Sequence, residues 1–223
     1  MKTSKNLTKG FTLLELLIVI AILAILSVTL VLILNPAESL KKSRDTQRMS
    51  DLSTIKTAIG LYLTSVNPAY LGGAAANTAC KTGAGAGTWA ANDKIFYSVD
   101  STTLITGTLD GSALVVAGQV VAADIGKTDG TGWLPVNLSG ITGGSPVSNM
   151  PLDPTNSIGT YSAVTNLDKV YRYACHDTNL TFEIDAVLES SEFSNKMTKD
   201  GGNNTAYYEV GTKLDILGAG TDF

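Results

Sequence analysis

A lone carboxylate, Glu15, interrupts a run from Phe11 to Leu34 that carries no other charge. At the centre of a membrane helix an acid costs about 2.5–3.5 kcal/mol, and less near an end, so Glu15 calls for a partner and marks a functional position. Other reactive side chains are few. His176 is the only histidine, flanked by Cys175 and Asp177, and no nucleophile motif surrounds it; its place is a solvated turn. Cys80 and Cys175 are the only cysteines, without CxxC or CxxCH spacing. In an exported chain they pair as a disulfide closing a loop of about 95 residues, worth ~4 kcal/mol; two buried thiols are the alternative. Zinc spacing, a P-loop and GxSxG are all missing. The glycines from Gly83 to Gly87 follow no hydrophobic strand and precede no helix-opening Lys-Ser/Thr, so they make a surface loop.

The element that must position Glu15 is the apolar run itself. As a helix at 1.5 Å per residue it is roughly 36 Å long, enough to cross a ~30 Å hydrocarbon core with some tilt. A cleaved secretory signal has a shorter apolar region and a small-residue cleavage site, and neither is present. Lys2, Lys5 and Lys9 precede the run, while Lys41, Lys42, Arg44 and Arg48 follow it. The positive-inside rule therefore leaves its orientation open.

The junction Lys9-Gly10-Phe11-Thr12-Leu13-Leu14-Glu15 resembles the processing signal of type IV prepilins and of type II secretion pseudopilins. In that family a basic leader ends in glycine, a membrane aspartyl peptidase cuts after it on the cytoplasmic face, and the new N-terminal residue is N-methylated. The resemblance implies cleavage between Gly10 and Phe11, methylation of Phe11, and an assembly role for Glu15. Its carboxylate would then face the free amine of a neighbouring subunit. The organisation implied is a leader over residues 1–10, a membrane and filament-core helix over 11–35, an amphipathic helix over 36–66 and an extracytoplasmic head over 67–223.

Beyond Asn35-Pro36 the chain again has a helical pattern, with Pro36 either opening a new segment or kinking a continuous helix. Leu52, Ile55, Ile59, Tyr62 and Val66 form one apolar stripe suited to lying on a core. Residues 38–51 are charged nearly all round; they fit a solvated neck, or charge pairing between subunits. The helix ends near Val66-Asn67-Pro68.

The head is short-stranded. Ile95–Val99, Leu114–Ala122 and Tyr207–Val210 are strand candidates. Lys169–Cys175 and Leu180–Val187 make a hairpin around a loop from His176 to Asn179. In its second arm Leu180, Phe182, Ile184 and Ala186 alternate with Thr181, Glu183, Asp185 and Val187, a half-buried pattern. The fold class is α+β, a long N-terminal helix on an antiparallel sheet, which agrees with the pilin fold. From Asn67 onward eight basic residues face sixteen acidic ones, which argues against sequence-independent nucleic-acid binding by the head.

The resemblance further implies a non-enzymatic subunit of a homopolymeric filament, anchored in the membrane and then displayed at the cell surface. Its partners would be the prepilin peptidase, an assembly ATPase and a platform protein. A secretion pseudopilin is the alternative, and a signal-anchored extracellular binding domain a third. No cofactor is implied, except that major pseudopilins commonly hold calcium near their C-terminal loops. The matching oxygen-rich stretches are Met150–Thr155 with Asp153, and Thr198–Thr205 with Asp200, Asn203 and Asn204; ordinary turns are the simpler reading of both, and no individual ligand is assigned. The cysteine pair departs from the usual pseudopilin pattern.

Overall fold

A computed structural model describes residues 10–73, 76–83, 89–90, 92–99, 106–108, 114–116, 121–161 and 164–218. They belong to two compact units, Met1–Leu40 and Lys41–Phe223.

In the first unit, α1 (Leu13–Leu34) forms because its aliphatic run contains neither Gly nor Pro and starts behind a good cap, Thr12. Its two hydroxyls bond back to the helix, Ser27 to the Leu23 carbonyl at 2.7 Å and Thr29 to the Ile25 carbonyl at 2.9 Å. Such back-bonding lets polar side chains sit in an apolar helix without unsatisfied groups. Asn35 ends the helix in a left-handed conformation (φ 38°, ψ 73°). Pro36 then opens α2 (Pro36–Ser65), at a position where its missing N–H is not required. Of the two roles open to Pro36, it takes the start of a new helix.

The second unit combines most of α2 with β1 (Phe96–Tyr97), β2 (Thr106–Thr108), β3 (Leu114–Val116), β4 (Arg172–His176), β5 (Thr181–Ala186) and β6 (Tyr208–Gly211). One antiparallel sheet runs in the order β1-β4-β5-β6, and β2 pairs with β3 in a separate ribbon. The fold is α+β. Leu52, Ile55, Ala58, Ile59 and Tyr62 of α2 share a core with Phe96, Tyr173, Cys175, Phe182, Ile184 and Ala186, so the apolar stripe meets one face of the sheet. Val66 is only partly buried at its end.

Several strands depart from their sequence patterns. The stretch Ile95–Val99 pairs only at Phe96 and Tyr97, and Leu114–Ala122 contributes Leu114–Val116, with residues 117–120 outside the described set. β2, with the sequence Thr-Gly-Thr, gave no apolar signal. The hairpin loop is shifted by one residue to Asp177–Leu180, because Leu180 adopts a left-handed φ of 49°. His176 is consequently not a solvated turn residue. It closes β4 opposite Thr181, is 8 % exposed, and bridges to Lys81.

The second face of the sheet is covered too. Trp89, Ile95, Val164, Val170, Tyr207, Ile216 and Leu217 pack there, so β5 is buried on both sides and Glu183 and Asp185 lie inside, not at a solvated face. Asp185 accepts from Arg172 Nε at 2.7 Å and also from Nη2, while the guanidinium lies 3.6 Å from the Tyr207 ring centre.

Cys80 and Cys175 are joined by a disulfide that ties the loop after α2 to β4. A Cβ at Gly72 would come 2.6 Å from Cys80 Sγ, so the chain passes the bridge too closely for a side chain. Replacing both cysteines by alanine should lower stability by about 4 kcal/mol, because the bridge closes a 95-residue separation. Urea unfolding measures this; a loss under ~1 kcal/mol would contradict it.

Candidate functional site

Gly10 and Phe11 lie in exposed coil immediately before α1. Nothing stands within 4 Å of a Cβ built at Gly10, so the fold leaves room for a side chain there. Glu15 occupies the first turn and forms a reciprocal capping box with Thr12. Its Oε2 accepts from the Thr12 backbone N–H at 2.9 Å and from the Thr12 hydroxyl at 2.8 Å, while the Glu15 N–H donates to Thr12 Oγ1 at 3.2 Å. The carboxylate is thus partnered within its own helix, and it satisfies a backbone donor that the first turn leaves over. Around it, the described large apolar side chains from Phe11 to Leu34 are between 45 % and 82 % exposed. By length and composition this helical stretch is able to cross a membrane.

The prokaryotic N-terminal methylation motif matches residues 5–31, from within the basic leader to the last third of α1. That motif is the signal carried by type IV prepilins and pseudopilins, and it supports a place for this chain among them. Comparison with curated proteins and with solved structures gives no significant match. The prepilin signal implies processing by a prepilin peptidase and handling by an assembly machinery. Leader residues 1–9 lie outside the described set, as do 84–88 of the glycine loop.

The charged stretch of α2 is not a wholly solvated neck. Asp45 and Arg48 are fully buried against their own head. Arg48 donates through Nε (2.6 Å) and Nη2 (2.9 Å) to the two oxygens of Asp153. Its Nη1 reaches Asp45 at 2.9 Å and Glu189 at 2.7 Å. Asp45 in turn accepts the backbone N–H groups of Glu189 (2.9 Å) and Ser190 (2.7 Å). Arg44 adds a bond to Glu189 at 2.8 Å, Lys42 pairs with Glu192, and Asp51 accepts from the Tyr171 hydroxyl at 2.8 Å. A planar guanidinium bonded on three edges suits a buried clasp, since one cation reaches three carboxylates at once.

This geometry also redefines the oxygen-rich loops. Asp153 faces Arg48 with both oxygens, and Oδ1 also takes the Thr155 N–H at 2.8 Å. Asp200 accepts the N–H groups of Gly202 (2.9 Å) and Glu209 (2.8 Å), and the Asn204 amide donates to the Gly218 carbonyl at 2.8 Å. Among the described residues no group of three or more His, Cys, Asp or Glu side chains is arranged to hold a metal ion.

Burial would raise the Glu189 carboxyl, but hydrogen bonds and charge from Arg44 and Arg48 outweigh it and hold the group at about 2. A carboxylate depressed below its unfolded value stabilises the fold above that value and loses its contribution as the pH falls. Head stability should therefore decline between about pH 4.5 and pH 2. In Glu189→Gln the acid-side slope should be shallower, as read from urea midpoints across that interval; an unchanged slope would count against the clasp.

Two functional features escaped the sequence reading. The capping box was available as Thr12-x-x-Glu15. The clasp left only one local trace, Asp45 and Arg48 three residues apart on a helix.

Proposed function

We propose that the chain is a structural, non-enzymatic subunit of a type IV pilus-like filament, cleaved after Gly10, methylated at Phe11 and assembled by packing of its N-terminal helices. The observation that carries this reading is the methylation motif directly ahead of an exposed apolar helix bearing one acid. In the bilayer, lipid covers α1. Outside it, the same surface stays dry only against other apolar helices, and identical copies supply them. Cleavage removes Lys2, Lys5 and Lys9 and creates an amine next to the capping box. Oε2 of Glu15 already serves Thr12, so a neighbour's amine adds a bond to a carboxylate held in place. The head stands outside the cytoplasm, compatible with its disulfide.

A pilus is favoured over a secretion pseudopilus by the Cys80–Cys175 bridge, a departure from the usual pseudopilin pattern. Shearing the cell surface separates them: long filaments containing this chain are the expected product. Its confinement to short periplasmic fibres would replace the pilus by the pseudopilus.

A further inference from the structure

The second face of the sheet contains a carboxyl pair that filament assembly does not use. Glu183 on β5 and Glu209 on β6 are 0 % and 2 % exposed. In the register Glu183 faces Gly211 and Glu209 faces Asp185, so the two acids are diagonal neighbours on one face. Each uses one oxygen to hold backbone. Glu183 Oε2 accepts the N–H groups of Ile216 at 2.7 Å and Leu217 at 2.9 Å, and Glu209 Oε2 accepts that of Asn204 at 2.9 Å. Oε1 of each is buried without a hydrogen-bond partner, and the two carboxyls are near enough to influence each other's proton. Two neighbouring carboxyls away from water cannot both be ionised without strong repulsion. Gly202 closes the site, since a Cβ there would lie 1.9 Å from Glu209 Oε2.

We propose that Glu183 and Glu209 share one proton and form a pH-sensitive latch that holds the C-terminal segment through Gly218 against β5 and releases it when the proton leaves to solvent. Charges of both signs surround the pair, and Lys81 is a cation that Glu183 feels. Asp185 beside it is already matched by Arg172 of β4, and Asp200, ahead of β6, adds negative charge. Lys81 approaches from the other side, its Nζ 3.0 Å from the Ile216 carbonyl, with Asp215 and Lys213 of the C-terminal segment and Asp93 around it. Burial is the main cause raising both acids, with Glu209 and Asp185 following for Glu183, and Glu209 itself is pushed up to about 7. A group whose folded value is raised binds its proton more tightly in the folded state. Its contribution is complete at low pH and is lost as the pH climbs from about 4.5 through 7.

The test is urea unfolding of the full chain in detergent micelles between pH 5.5 and 8.5, with Trp emission as the readout. In the unaltered protein the unfolding constant should rise with pH, by up to about tenfold per unit. In Glu209→Gln, whose amide carries no titrating proton, that rise should be clearly smaller. A flat profile in the unaltered chain, or an unchanged slope in the variant, overturns the latch. Should the variant not fold, amide exchange in the unaltered chain decides: Ile216 and Leu217 should lose protection across this interval while β4 keeps its own. Equal loss at both places, or none at either, overturns it.

Discussion

Replacing Arg48 by alanine should lower the stability of the head by about 3–5 kcal/mol, the loss seen when one partner leaves a buried ion cluster. The reason lies in what remains. Asp45 and Asp153 would be buried anions without a cation, and Glu189 would keep only Arg44. Alanine brings no compensating apolar packing. Arg48→Lys should recover part of the loss, because an ammonium restores charge but cannot hold both Asp153 oxygens while reaching Asp45 and Glu189. Lys42→Ala is the control: its pair with Glu192 is 41 % and 55 % exposed, and such pairs contribute at most ~1 kcal/mol. Trp133 reports the change, being fully buried with its Nε1 3.1 Å from the Pro151 carbonyl, close to Asp153. A loss under ~1 kcal/mol for Arg48→Ala would mean that the clasp contributes little.

Glu15→Ala should be processed normally yet reduce sheared surface filaments about tenfold or more, the effect of losing roughly 1.4 kcal/mol or more per subunit contact. Alanine removes two things together, the negative charge and the cap on Thr12. Glu15→Gln separates them. Its amide oxygen accepts the Thr12 N–H as the carboxylate does, so the helix start is preserved while the charge is gone. On the filament reading glutamine fails in assembly nearly as badly as alanine. Full assembly with glutamine would assign Glu15 to helix capping and remove the charge pair from the mechanism.

How much was legible depended on distance along the chain. The apolar run, its single acid and the Leu52–Tyr62 stripe are local patterns, and each became the element its period implied. The clasp was not local: Arg48 is separated from Asp153 by 105 positions and from Glu189 by 141. Without those partners its stretch looks like any charged helix surface. β5 illustrates a second limit. Its alternation was correct, but alternation shows only that two faces differ, not that one is wet. Tyr207, Ile216 and Leu217 cover the polar face, and they lie at the far end of the chain. Glu183 and Asp185 were therefore read as solvated when they are core acids. His176 was misplaced for a related reason, since one extra strand residue moves it from the turn into the sheet.

The most direct test of the whole account is the N-terminus of the protein purified from its own cells, read by intact mass and N-terminal fragmentation. Processing after Gly10 predicts a chain beginning at Phe11 with a methyl group on its amine. A Gly10→Val substitution, for which the fold has room, should leave the unprocessed form in the membrane. A mature protein that still begins at Met1, or an identical N-terminus in the Gly10 variant and the unaltered chain, would contradict the account.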